Sequence, residues 1–247
     1  MTSLGRRCRK VRQSVRWGLC SRGSPPIDGV SRQAPSRRCR PPVISSDSSV
    51  SNQEVIASHA TTVVDAIGQA VDIVGHSFGG LCALEAALRA DGIRRLILYE
   101  AVPLRGADNY PTDVIPKLDA LLAANQVEPA LVTMLREIVG LGAADIDMLR
   151  RDPEAWATRL SNTRAMPREL RAEHEYVFLP ERFTNLRVAT LLLVSEASAA
   201  RELSSARGVA AVLPSARIRL LPEQQHLAMY TAPDMFVRAV LEFLAEH

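Results

Sequence analysis

The pentapeptide Gly75-His76-Ser77-Phe78-Gly79 constrains this chain more than any other stretch of it. An apolar run, Val71-Asp72-Ile73-Val74, precedes it, and a helical pattern from about Gly80 to Ala90, closed near Gly92, follows. A strand that must pass into a helix within so few residues makes a sharp, strained turn, and the strain lifts the serine hydroxyl clear of the sheet. Gly75 and Gly79, two residues either side of the serine, are expected to let neighbouring backbone close around that turn. The free amides at the helix start, notably that of Phe78, would face an oxygen on which negative charge develops. A phosphate loop or dinucleotide turn is excluded, because neither G-x-G-x-x-G nor G-K-[ST] is present.

The surrounding pattern is that of a parallel α/β sheet. Ser51-Asn52-Gln53-Glu54 has the form of a capping box, and Val55, Ile56, Ala60, Val63, Val64 and Ile67 then recur at helical spacing up to a stop at Gly68. Arg95 to Tyr99 reads as a second strand. Short strands alternating with helices across short joints are the rhythm of parallel pairing. Residues 104–185 break it with helical segments near Pro116–Ala124, Pro129–Val139 and Pro153–Leu160, the last capped by Asp152. The alternation returns with strand Ala189–Val194, helix Arg201–Val212, strand Arg217–Leu221 and a final helix Pro233–Leu244. The expected organisation is a basic tail at 1–50, a first core segment at 51–103, a helical insertion at 104–185 and a second core segment at 186–247.

Composition removes several function classes. Residues 1–40 hold eleven Lys and Arg against the single acid Asp28, whereas the rest of the chain holds nineteen bases and twenty-six acids. The first fifty residues are dense in Arg, Ser, Pro and Cys without helical or strand period, so they are expected to stay disordered outside the fold. They share an Arg-rich, acid-poor character with transit peptides, but their arginines do not line one helical face. Only Trp17 could stack on a base, so a nucleic-acid partner is not expected. No apolar run reaches the roughly 18 residues of a membrane helix, and no secretory leader is visible. A cytoplasmic location without membrane attachment is the expectation. Cys8, Cys20, Cys39 and Cys82 lack zinc-ligand spacing, so neither metal nor disulfide framework is expected.

A serine hydroxyl needs a base before it can attack. Of the five histidines, His76 lies inside the turn, His59 on the polar side of the first helix, His174 in the insertion and His247 at the terminus. His226 instead follows the last strand in Leu221-Pro222-Glu223-Gln224-Gln225-His226, at the strand end where reactive groups of parallel sheets gather. His226 is the candidate base.

Turn, insertion and terminal histidine together resemble the α/β-hydrolase superfamily in its lidded branch, over roughly residues 53–247. The resemblance implies a parallel-sheet core with a helical lid and a triad in the chain order serine, acid, histidine. The family's acid usually stands in a G-x-x-D turn after the strand that follows the lid. Here that turn reads Ser195-Glu196-Ala197-Ser198, with a serine in the acid's place. Some members, including a subset of haloalkane dehalogenase-like proteins, carry the acid one strand earlier, where this chain has Glu100; Glu196 is the second candidate. The serine nucleophile separates this chain from dehalogenase chemistry, which in that family uses aspartate. The resemblance thus implies hydrolysis of a small ester-like substrate by Ser77, His226 and Glu100, without cofactor.

Two features of the family are not visible. No His-Gly marks a second oxyanion donor near the N-terminus, and residues 1–50 offer no convincing strand ahead of the elbow. The expectation is a chain lacking the N-terminal part of the fold, with impaired activity and an exposed sheet edge through which copies self-associate. Its alternative function is that of a non-enzymatic binding protein that keeps the pocket.

Overall fold

A computed structural model describes residues 52–101 and 111–246. The basic segment 1–50, the Ser51 end of the capping box and residues 102–110 lie outside the described residues. In chain order the helices are α1 Asn52–Ile67, α2 Phe78–Ala86, α3 Val114–Ala123, α4 Val127–Glu137, α5 Ala143–Arg150, α6 Pro153–Asn162, α7 Met166–His174, α8 Ala199–Val212, α9 Ala228–Thr231 and α10 Pro233–Ala245. The strands are β1 Val71–His76, β2 Ile93–Tyr99, β3 Ala189–Ser195 and β4 Ala216–Leu221.

The four strands pair in parallel in the order β1-β2-β3-β4. Successive strand side chains point to opposite faces, and a sheet covered on both sides therefore needs apolar residues at every position. β2 and β3 show this directly. Leu96, Leu98, Leu192 and Val194 pack with Val64 of α1, Leu84 of α2 and Val209 of α8. On the other face Ile97, Tyr99, Leu191 and Leu193 pack with Phe236, Ala239 and Phe243 of α10. Each fully buried aliphatic side chain contributes about 2 kcal/mol. A charge at Leu98, which is 1% exposed, would break this layer. Among the described residues β1 pairs only with β2, so it forms one edge.

The helices follow their local chemistry. α1 stops at Gly68, whose φ of 65° few other residues adopt cheaply. The α-helical part of α2 ends at Ala86, short of the expected Ala90, because Leu88 and Arg89 bond three residues back and tighten the last turn. α3 and α4 begin two residues before their prolines, Pro116 and Pro129. A first-turn proline costs nothing there, since the amide it removes has no partner in the helix. Asp152 caps α6 by accepting from the Ala155 amide at 3.0 Å.

Two helices between β2 and β3 go beyond the three expected. α5 buries only Ile146 and Leu149, and α7 only Pro167 and Leu170, too few apolar positions for a visible period. Arg182 reaches back from the end of this region to Glu85 of α2, with both guanidinium nitrogens on the carboxylate at 2.8 and 2.7 Å. Tyr176 donates a third bond to Glu85 at 2.7 Å. No helix of the described residues is long and apolar enough to cross a membrane.

Candidate active site

Ser77 stands between β1 and α2 with φ 52° and ψ −131°, in a region that costs a non-glycine residue about 1–3 kcal/mol. Backbone bonds hold it there. Its amide donates to the Tyr99 carbonyl at 3.0 Å, and its carbonyl accepts from the Gly80 amide at 2.8 Å. The serine side chain makes no capping bond to α2. Phe78 begins α2, so its amide lies at the helix N-terminus where intrahelical partners are missing.

The glycine requirement differs from the one expected. A Cβ at Gly75 would meet the Cα of Gly80 at 2.5 Å, and a Cβ at Gly80 would meet the Cβ of Ala101 at 2.0 Å. At Gly79 it would meet nothing among the described residues. The close approach therefore runs Gly75–Gly80–Ala101, because Gly80 is the residue of α2 that turns inward against the ends of β1 and β2. Gly79 is exposed.

Glu100 directly follows β2 with φ 47°, a turn that sends its side chain inward. Its side chain is 0% exposed. One carboxylate oxygen, Oε1, accepts from the Ser195 amide at 2.9 Å, and the other, Oε2, accepts from His226 Nδ1 at 3.2 Å. Burial pushes this carboxyl upward, but bonds from His226, the Ser195 amide and the Ser198 hydroxyl outweigh it and leave the group below its ordinary value. The second acid candidate is elsewhere: Glu196 is exposed and accepts from the Glu223 amide at 2.9 Å, closing a surface turn. His174 is exposed at the end of α7.

His226 lies in the loop between β4 and α9 with its side chain 15% exposed. With Nδ1–H given to Glu100, Nε2 is the free acceptor of this ring. His76, the residue before Ser77, donates Nε2–H to the His226 carbonyl at 2.9 Å, and the two ring centroids are 4.5 Å apart. Burial first, and then the neighbouring His226 ring, push the His76 pKa down to about 3, so it is neutral. On its other side His76 stacks on Tyr99 at 5.2 Å.

Tyr99 and Ser195 were not among the residues expected to matter. Their hydroxyls are 2.7 Å apart and both reach the Gln225 carbonyl, Ser195 at 2.8 Å. The Ala228 amide donates to the Tyr99 oxygen at 3.1 Å. Burial pushes the phenol up to about 12, so it keeps its proton. A phenol within an aliphatic strand was the available signal, since a buried tyrosine hydroxyl needs a partner.

The helical region between β2 and β3 packs beside the neighbours of both Ser77 and His226. Leu227 joins Leu131, Leu135 and Trp156, and Phe78 joins Tyr176, Ile56 and Leu81.

A family model described as "Alpha/beta hydrolase family" matches residues 22–239. An alpha/beta hydrolase from Sphaerobacter thermophilus DSM 20745 is 26% identical, with TM-score 0.63, over 79% of this chain and 75% of that one. MenH from S. aureus is 20% identical, with TM-score 0.61, over 78% of this chain and 75% of that one. The enol-lactonase from Burkholderia xenovorans LB400 is 19% identical, with TM-score 0.59, over 80% of this chain and 74% of that one. At such identities the last two speak for the fold alone. A parallel sheet, a strained serine turn at the end of β1 and a family match across most of the length agree: the chain belongs to the alpha/beta hydrolase family.

Proposed function

We propose that this chain is a serine hydrolase that cleaves a small ester-like substrate through Ser77, His226 and Glu100. The observation that carries it is the buried Glu100 carboxylate on His226 Nδ1, at the same sheet end as the positive-φ serine. In the proposed reaction His226 Nε2 takes the Ser77 proton as the serine oxygen bonds to the acyl carbon. The carbonyl oxygen becomes an oxyanion against the Phe78 amide. Collapse of that intermediate expels the alcohol, which leaves with the proton from His226. Water then attacks the acyl-enzyme in the same sequence, with His226 as base, and frees the acid and the serine. Glu100 fixes the ring tautomer and stabilises the imidazolium in both halves. The helices from α3 to α7 serve as the lid over the acyl pocket, and the substrate is a small molecule rather than a polymer.

A fluorophosphonate probe with an intact-mass readout tests this. One adduct on the wild-type chain and none on Ser77→Ala is the expected result, together with turnover of 4-nitrophenyl butyrate that Ser77→Ala abolishes. A lactone belongs in the substrate panel, since a fold neighbour is an enol-lactonase. A cooperatively folded wild type with neither adduct nor turnover would instead favour a binding protein built on the same pocket.

A further inference from the structure

The loop that carries His226 has little of its own to hold it in place. It leaves β4 at Leu221 and enters the short α9 at Ala228. At Gln225, His226 and Ala228 three side chains grip its backbone, and each comes from the end of a different strand. His76, last residue of β1, donates to the His226 carbonyl. Tyr99, last residue of β2, bonds the Gln225 carbonyl and accepts from the Ala228 amide. Ser195, last residue of β3, donates to the Gln225 carbonyl. Two hydroxyl protons are thus shared around the triangle of Tyr99, Ser195 and Gln225, and the backbone on both sides of His226 is tied down.

Each of the three is also joined through the backbone to another member of the site. His76 precedes Ser77, Tyr99 precedes Glu100, and the Ser195 amide donates to Glu100. We infer that His76, Tyr99 and Ser195 are positioning residues that latch the His226 loop to the strand ends carrying Ser77 and Glu100, and so set the imidazole against both. This rests on the serine-hydrolase reading of the site. The latch acts through backbone groups of the loop and touches no substrate, so it governs the alignment of the proton transfer and leaves substrate binding alone. A misplacement of about 1 Å can cost about 100-fold in rate.

The test uses the full chain with 4-nitrophenyl butyrate, and with calorimetry to count folded protein. Tyr99→Phe and Ser195→Ala should lower kcat per folded molecule about 10- to 100-fold with KM within about twofold. They should also weaken or erase the far-downfield proton resonance of the His226–Glu100 bond. His76→Leu should behave alike, and His76→Gln, which keeps a donor at the same reach, should recover much of the lost kcat. A merely structural role would lower the thermal midpoint while leaving kcat per folded molecule and the resonance intact; that result overturns the latch. Should Tyr99→Phe fail to fold, the contrast between His76→Leu and His76→Gln decides alone. Turnover that survives Ser77→Ala defeats the serine-hydrolase reading and the latch with it. An inactive Ser77→Ala beside latch variants at wild-type kcat defeats the latch only.

Discussion

Lowering the pH from 7 to 4.5 should destabilise the protein through His76. The ring is pressed between Tyr99 and His226, with the Glu100 carboxylate on the far side of His226, and its Nε2–H is committed to the His226 carbonyl. Burial lowers its pKa from 6.5 to about 3. Between those values the unfolded chain binds a proton that the folded chain refuses, so stability rises with pH across the window and is lost as the pH falls below 6.5. At pH 4.5 the loss spans two units at about 1.36 kcal/mol each, a ceiling of about 2.7 kcal/mol. His76 keeps some contact with solvent, which screens part of it, so about 1–2 kcal/mol is expected. Urea unfolding of wild type and His76→Gln at half-unit pH steps isolates this contribution, because glutamine can donate the same bond but does not titrate. The stability difference between the two should move by that amount in favour of the variant as the pH falls to 4.5. Parallel curves would refute the neutral buried imidazole and the linkage drawn from it.

Arg182→Ala should cost about 3 kcal/mol in urea unfolding, because it strands the fully buried Glu85 carboxylate with Tyr176 as its remaining partner; adding Glu85→Gln should return part of the loss. Gly80→Ala should cost about 1–3 kcal/mol and displace Ala101, whereas Gly79→Ala should be nearly neutral in thermal unfolding. Glu100→Gln should lower kcat about 1,000-fold or more and Glu196→Gln less than about twofold, measured on a 4-nitrophenyl ester; the reverse ranking would return the acid to the turn after β3.

The sheet was legible because its chemistry is local. Val71–Val74, Arg95–Tyr99, Ala189–Val194 and Arg217–Leu221 all lie within observed strands, each one or two residues longer than its apolar run suggests. Two of the extra residues, His76 and Ser195, are polar side chains at strand ends whose pairing is decided by the neighbouring strand rather than by their own hydrophobicity. The contact between Glu100 and His226 could be anticipated from chain order, since both follow strands of one parallel sheet. The Gly80 contact could not, because it depends on which side of α2 faces Ala101. The latch was illegible for the same reason: it uses backbone atoms of Gln225, His226 and Ala228, which have no residue signature.

The position of the proposed acid, Glu100, shows how two places in the sequence can be one place in the fold. β2 and β3 are neighbours in register, with Tyr99 beside Leu193, so the residues that follow each strand emerge side by side. The Glu100 amide bonds the Leu193 carbonyl at 3.1 Å, which continues the ladder one residue past β2. Its positive φ then turns the side chain across to the end of β3, where the Ser195 amide and the Ser198 hydroxyl meet the carboxylate. A shorter aspartate reaching from position 198 and a longer glutamate reaching from position 100 would therefore put charge near the same point beside His226. Serine at 198 cannot carry that charge, but it can donate a bond to it, and donors to a carboxylate hold it ionised. The turn after β3 thus keeps its part in the site as a donor to the carboxylate, while the charge itself comes from the end of β2.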